Sequence, residues 1–379
     1  MVELINWDAI KKRVENEAWA ADFIKTTTER LDWFIENYHD EATRITGWFH
    51  HYNCEKCQGR LIFNIENSKE HICSVCGHVN SSETFTKVWY NTYRGRANAS
   101  VYESGIMYRL TNDEKYITHL KKVLNFYADN YDDFVSEPIA KRFEGKLQNQ
   151  HLDDASAVMN MLLGIDMARE RFSDEELKNL YEKLFKKEAE MFDFFANLIY
   201  YIPVCIYCAQ AAVGAFFGEE EHIRKGFHSI YGILDQIKKG VTVEGMWYEG
   251  SMHYHYYSVH PIAMLMFICK RVEFNIPEMP YIYEKVEKMF EYPLKMMFSN
   301  KQLPNPHDAH PHLTIFNYRT HYEYASIIYD NPIFKKACSM FWEGDIKPTF
   351  TRLLFNTWED ENYDLDFGTI NNPSSGTAI

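Results

Sequence analysis

The sequence has no apolar run long enough to cross a bilayer, and its first residues, Met1-Val-Glu-Leu-Ile-Asn-Trp-Asp, lack the basic and apolar regions of a secretory signal. No membrane partner is expected, and the chain reads as cytoplasmic unless a leader was removed to give a secreted or periplasmic protein. Positive charge is also short, with 40 Lys and Arg against 54 Asp and Glu and a formal net charge of −14. Phosphate backbones want a basic surface, so nucleic acid is not expected as the main partner. A smaller anionic partner stays open, because the local field of a cleft can oppose the global sign. No self-similar repeat runs through the chain, which argues against a solenoid. Disulfides are not expected either. Of eight cysteines, four fall in two Cys-x-x-Cys pairs, while Cys205, Cys208, Cys269 and Cys338 sit in apolar helical contexts and read as buried thiols.

What is present is helical and rich in rings. The 379 residues are 46% hydrophobic and 16% aromatic, enough for a large core and suited to stacking on sugar rings. Residues 1–48 read as two helices joined at the threonines 26–28. Residues 49–90 turn short, β-prone and rich in Cys, Gly and Asn. Helical periodicity then resumes. Asn112-Asp113-Glu114 marks one helix start, and Ser173 with Glu176 forms a capping box. Further helical stretches cover about 152–170, 198–217, 222–238, 254–272, 281–298 and 320–342, with Pro293 expected to kink or interrupt its helix. Short connections favour helical hairpins. The fold class expected is mostly α, an (α/α) toroid over residues 1–355 with a small zinc-ribbon-like β knuckle inserted at 49–90. Residues 356–379 read as a linker and the start of a further β-sheet domain. A homodimer is compatible with this reading.

Two stretches carry chemistry. Cys54-x-x-Cys57 and Cys73-x-x-Cys76 stand fifteen residues apart, a zinc-ribbon spacing in which each pair offers two thiolates. Four thiolates close a tetrahedron, so the expected zinc is structural, and His51, His71 and His78 are surplus. Residues 243–260 gather two glycines, two glutamates, three histidines and four tyrosines before an apolar helix. Gly245 and Gly250 allow sharp turns, and the residues after Ser251 can donate, accept or relay protons.

Four segments together resemble the heparinase II/III-like polysaccharide lyases, the group with oligo-alginate and exo-acting heparin lyases. They are Trp48-Phe-His-His-Tyr-Asn-Cys with the paired knuckles, Gly105-Ile-Met-Tyr-Arg-Leu-Thr-Asn-Asp-Glu-Lys-Tyr, Gly145-Lys-Leu-Gln-Asn-Gln-His-Leu-Asp-Asp-Ala, and Gly245-Met-Trp-Tyr-Glu-Gly-Ser-Met-His-Tyr-His. The resemblance implies a helical toroid followed by antiparallel sheets, and β-elimination at a uronic acid. In that reaction the uronate carboxylate is neutralised, the C5 proton removed and the leaving oxygen at C4 protonated. Tyr254 matches the family's catalytic tyrosine, serving as base and then acid. Asn197 matches its carboxylate-neutralising asparagine, although the histidine that usually accompanies it is absent here.

Around these, His255 is expected to share in catalysis. Gln150, His151, Trp247, Glu249, His253, Arg96, His307 and Asp308 are expected to line the binding site for an anionic oligo- or polysaccharide. For each there is a plainer role: Gln150 and His151 can cap a helix, Glu249 can anchor its loop, and His253 or His255 can cap the helix that starts there. Arg94 and Arg96 could supply a positive field or be surface charge. The stretch Asn305-Pro-His307-Asp308-Ala-His310-Pro-His312 reads as a cleft-rim loop. Two other functions fit the same fold: a non-catalytic carbohydrate-binding protein, or a glycoside hydrolase using Glu249 and Asp308 as paired carboxylates.

Overall fold

The computed structural model describes residues 4–138, 144–193, 198–341 and 347–355, and the backbone of 371–372 and 377–378. Most of them are helical. The chain forms two compact units, one from residues 27–195 and one from residues 1–26 with 196–379. Among the described residues, no helix is long and apolar enough to cross a membrane.

Helix α1 (Trp7–Asn16) is capped by Asn6, whose side chain accepts from the Ala9 amide at 3.0 Å. It stops at Glu17, which is extended, and α2 (Ala18–Asn37) follows at once. The threonines 26–28 therefore do not join two helices; they lie inside α2. Burial of Leu31 and Phe34 holds this stretch helical, and packing outweighs the modest helix reluctance of threonine.

In the unit of residues 27–195, two-residue strands β1 (His71–Ile72) and β2 (Val79–Asn80) pair antiparallel. Isolated bridges join Asn53 to Arg60 and Leu61 to Cys73. This knuckle packs Tyr52 and Leu61 against Phe85 and Val88 of α3 (Glu83–Thr111). Helix α3 thus begins within the 49–90 stretch. It ends at Asn112, which takes a left-handed φ of 57°, and α4 (Glu114–Asn130) starts from Asp113, whose carboxylate accepts from the Lys115 amide at 3.0 Å. Helix α5 (His151–Met167) packs on α3 closely enough to require glycine. A Cβ on Gly105 would stand 2.6 Å from the Gly164 carbonyl oxygen, and one on Gly164 would stand 2.7 Å from that of Val101. Helix α6 (Asp174–Leu180) carries the expected Ser173–Glu176 capping box. It runs through a π-helical turn into α7 (Lys186–Phe192), where Glu188 is wholly buried and feels the charge of Asp154.

The second unit adds α8 (Tyr201–Phe217), α9 (Glu220–Ile223), α10 (Ile233–Gly240), α11 (Met252–Arg271), α12 (Met279–Met296), α13 (Arg319–Ile328), α14 (Pro332–Phe341) and α15 (Phe350–Phe355). Helix α11 packs on α8 and on α13, and α13 packs on α14. Two expected helices are each split. The 222–238 stretch breaks at residues 229–232, and the 320–342 stretch breaks at 329–331, where the Asn331 side chain accepts from the Ile333 amide at 3.0 Å and starts α14. Pro293 does not interrupt its helix. It lies buried inside α12 between buried Tyr292 and Leu294, so packing on both sides offsets the lost backbone bond. Strands β3 (Asn371–Asn372) and β4 (Thr377–Ala378) form a short antiparallel pair.

Candidate functional site

The turn before α11 is built by its glycines. Gly245 has φ +104° and Gly250 φ +76°, values that side chains disfavour. At Gly250 there is also no room: a Cβ would stand 2.5 Å from His307 Cδ2. The 305–312 loop thus folds directly onto this turn. Ser251 fastens both, since its hydroxyl donates to the Asp308 carbonyl at 2.8 Å and its oxygen accepts from the His253 and Tyr254 amides at 3.2 and 3.4 Å. His307 and His312 both have positive φ, 56° and 65°, a strained backbone for residues of this kind.

Tyr254 is held from two sides. Its ring stacks on Tyr201 with centroids 4.4 Å apart and planes 6° apart. Its hydroxyl donates to Asp308 Oδ2. That carboxylate, and then partial burial, push the phenol up to about 12. His253 sits beside it at a ring-to-ring distance of 5.8 Å, and His310 lies 4.5 Å from His253. His253 Nδ1 stands 3.3 Å from the Tyr318 hydroxyl. Burial, and then His310, lower its pKa from the ordinary value, so it is neutral near pH 7.

The neighbours expected to act directly serve instead as supports. His255 is wholly buried. Its Nδ1 accepts from the Trp247 amide at 3.1 Å, so the ring proton is on Nε2, which donates to the Met289 carbonyl at 2.9 Å. Burial pushes this imidazole down to about 4. Both nitrogens are committed, and no edge is left for a substrate. Trp247 is 0% exposed, and its indole N–H donates to Glu249 Oε2 at 2.7 Å. The same oxygen accepts from the Tyr201 amide at 2.9 Å. Glu249 therefore ties the α11 turn to the start of α8, and so does Tyr248, which donates to the Ile199 carbonyl. Asn197 lies outside the described residues.

In the other unit, the 145–151 segment is fastened by its backbone. Asp154 accepts from the amides of Lys146, Leu147 and Gln148. Asn149 donates to the Thr46 and Glu137 carbonyls at 3.1 and 2.8 Å. Gln150 precedes α5 without a side-chain cap bond and is partly exposed, whereas His151 is only 1% exposed and presents no surface to a ligand. Arg94 is fully buried, with Nε donating to Asp40 Oδ2 at 3.0 Å, so it cannot lend a field to a substrate. Arg96 is exposed and borders a cavity of about 570 Å³ between the knuckle and helices α2 and α3.

The four knuckle cysteines form a cluster that could hold a metal ion. Their sulfurs all lie within 4.8 Å of one another. Sγ–Sγ distances are 3.7 Å for Cys54–Cys76, 3.5 Å for Cys57–Cys73 and 3.4 Å for Cys57–Cys76. Backbone amides of Lys56 and Val75 point at Cys54 and Cys73 sulfur, both at 3.4 Å. His71 turns away to the Tyr52 hydroxyl at 2.7 Å.

Sequence reasoning found the α11 turn but missed Tyr201 as the stacking partner and Tyr318 as the partner of His253. Neither carries a local signal, since both come from other helices. A helical protein with a tyrosine-bearing glycine turn before a buried helix is thereby defined. Residues 99–335, more than half of the chain, match the family described as Heparinase II/III N-terminus, and the chain belongs to that family. Among curated proteins it is similar to the exo-oligoalginate lyase of Saccharophagus degradans, 24% identical over 203 residues that make up 51% of this chain and 26% of that protein. It is also 24% identical over 184 residues to the alginate lyase of Stenotrophomonas maltophilia, covering 46% of this chain and 24% of that one. The matched stretches thus span about a quarter of these relatives' lengths. Among solved structures, an alginate lyase from Bacteroides ovatus superposes with a TM-score of 0.61 at 10% identity, covering 93% of this chain and 98% of that one. That likeness carries the fold class, the (α/α) toroid expected from the helical pairs.

Proposed function

We propose that the chain carries the catalytic residues of a polysaccharide lyase that cleaves a uronate-containing glycan by β-elimination. The observation that carries this reading is Tyr254, its phenol held against Asp308 and flanked by His253, at the position matching the family's tyrosine. A partly exposed phenol beside a neutral imidazole can move a proton in each direction, as elimination requires. Asn197 is the candidate for neutralising the uronate carboxylate, with His307 and Asp308 as further contacts, and Gln150 and Arg96 of the 27–195 unit are candidates for glycan contacts of their own. The hydrolase alternative has less support, because Glu249 Oε2 already accepts from the Trp247 indole and the Tyr201 amide, which ties this carboxylate to the loop. The test is direct. Elimination leaves a conjugated unsaturated uronate, so the intact protein with a polyuronate should raise ultraviolet absorbance; chain shortening without that absorbance overturns the reading.

The cysteine cluster fits zinc. A tetrahedron with Zn–S bonds of about 2.3 Å has sulfur–sulfur edges of about 3.8 Å, close to the three separations here. Cys54, Cys57, Cys73 and Cys76 would hold the ion, and the ion would hold the knuckle on α3. Two amide-to-sulfur contacts supply outer support. Metal analysis should return one zinc per chain, and none would sink the assignment.

A further inference from the structure

The cavity between the knuckle and helices α2 and α3 lies wholly within the 27–195 unit, and none of its lining residues belongs to the α11 turn or to the 145–151 segment. Its volume of about 570 Å³ is in the range that takes a small-molecule ligand. Helix α2 contributes Arg30, Trp33 and Phe34, and α3 contributes Arg96 and Ser100. The knuckle forms the facing wall with residues 62–65, Ile72 and Val79. That wall is fixed to α3. The Trp89 indole N–H donates to the Asn64 carbonyl at 2.7 Å, Phe63 packs on Trp89 with ring centroids 5.7 Å apart, and the Thr86 hydroxyl donates to the Ser68 carbonyl at 2.9 Å. A ligand therefore need not order the loop in order to bind.

Two features of the lining select the ligand. Large apolar side chains stay open to solvent around the cavity, with Trp33, Ile62, Ile72 and Val79 exposed by 36, 52, 50 and 48%. Apolar surface gathered in this way marks a place for an apolar body. The polar groups, in contrast, are mostly spent within the fold. Arg30 donates to Glu103 at 2.8 Å, and the Asn67 amide donates to Glu70 at 3.3 Å. Asn64 Oδ1 accepts from the Glu66 amide, and Asn67 Oδ1 accepts from those of Lys69 and Glu70. The Ser100 hydroxyl donates to the Ala97 carbonyl at 2.7 Å. Arg96 differs from all of these. It is exposed, and its guanidinium has no hydrogen bond, ion pair or ring contact among the described residues.

We propose that this cavity binds a small monocarboxylate with an apolar body, the body against the knuckle wall and the carboxylate on Arg96. The guanidinium fork matches a carboxylate with two parallel hydrogen bonds, and it is more weakly hydrated than an ammonium, which suits it to a partly apolar site. A cationic ligand would meet Arg96 with like charge. A sugar fits poorly, because its hydroxyls would face isoleucine and valine side chains and lose their hydrogen bonds to water. This gives Arg96 a partner other than a glycan, and it stands independently of the lyase reading.

The test is calorimetric titration of the intact protein with octanoate and phenylbutyrate, with the matching alcohols octanol and phenylbutanol, and with a mannuronate trisaccharide. Both acids should bind at one site per chain and more tightly than the alcohols, and the tighter acid tells whether the body is a flexible chain or a ring. Arg96→Gln should weaken the acids by roughly ten-fold or more and leave the alcohols unchanged. Ile72→Trp, which fills the space from an exposed position, should weaken acids and alcohols alike. Both variants should keep the wild-type melting temperature, since neither side chain is buried. Absence of heat from both acids overturns the proposal, as do acids that bind the two variants as tightly as the wild type. Alcohols that bind as well as the acids remove Arg96 from the site. Trisaccharide binding that both variants lose, with no binding of either acid, gives the cavity to a glycan and overturns the apolar assignment.

Discussion

The segments at 145–154 and 245–254 each run from a glycine into a long helix, α5 and α11, and each carries histidine and carboxylate. In the first, the polar groups are turned inward. Asp154 gathers three backbone amides, Asn149 bridges two carbonyls and His151 is buried at the head of α5. In the second, support and chemistry are divided between neighbouring residues. Trp247, Glu249, Ser251 and His255 hold the turn, while His253 and Tyr254 keep accessible edges. A histidine and a carboxylate at the head of a helix therefore yield a brace in one place and a reactive edge in the other. The deciding quantity is how many of the polar atoms the backbone has already claimed.

Substitutions can break or sharpen that contrast. The largest expected effect is at Tyr254. Tyr254→Phe removes only the proton-handling oxygen, so turnover should fall by roughly 10²–10⁴-fold while the melting temperature stays nearly constant; near-normal turnover would remove the contrast. Asp154→Asn should do the reverse. Weakening a buried acceptor of three amides is expected to cost about 1–3 kcal/mol of stability, read by urea unfolding, with turnover per folded molecule unchanged. The smallest effect is expected at Gln150→Ala. One neutral hydrogen bond to a substrate is worth about 0.5–1.5 kcal/mol, so KM should rise by roughly two- to twelve-fold with kcat and stability little altered. An unchanged KM would assign Gln150 to the brace.

Much of this was legible in the sequence where the signal is local. The Ser173–Glu176 capping box, the Asp113 cap, the paired cysteines and the α11 turn each sit within a few residues, and local chemistry fixes them. What escaped depends on packing between distant elements. Threonines 26–28 stay helical because Thr27 itself, Leu31 and Phe34 are buried, and Pro293 is tolerated because Tyr292 and Leu294 beside it are buried. Arg94 reads as surface charge until Asp40 is placed against it. In the sequence His255 reads as a catalytic group and His253, two residues before it, as a binding one. Only the Met289 carbonyl and the Trp247 amide, neither of which marks itself in sequence, show which ring is consumed.

Buried Glu188 gives the interior of the 27–195 unit an unusual response to alkali. Burial first, and then the charge of Asp154, raise its pKa well above the ordinary carboxylate value, and burial raises Asp154 to about 7. A group whose folded pKa exceeds its unfolded one contributes stability that is full below the unfolded value and is lost as pH climbs through the folded value. For Asp154 that loss runs from the mildly acidic range to neutrality, and Glu188 adds a loss in the same direction. Surface carboxylates such as Glu176, drawn down chiefly by Lys121, act with the opposite sign and weaken the fold only as pH falls toward their lowered values. The unit therefore holds two opposed proton reservoirs, an outer one that charges to stabilise and an inner one that must stay uncharged, and the two together contribute most where the first has given up its protons and the second still holds them.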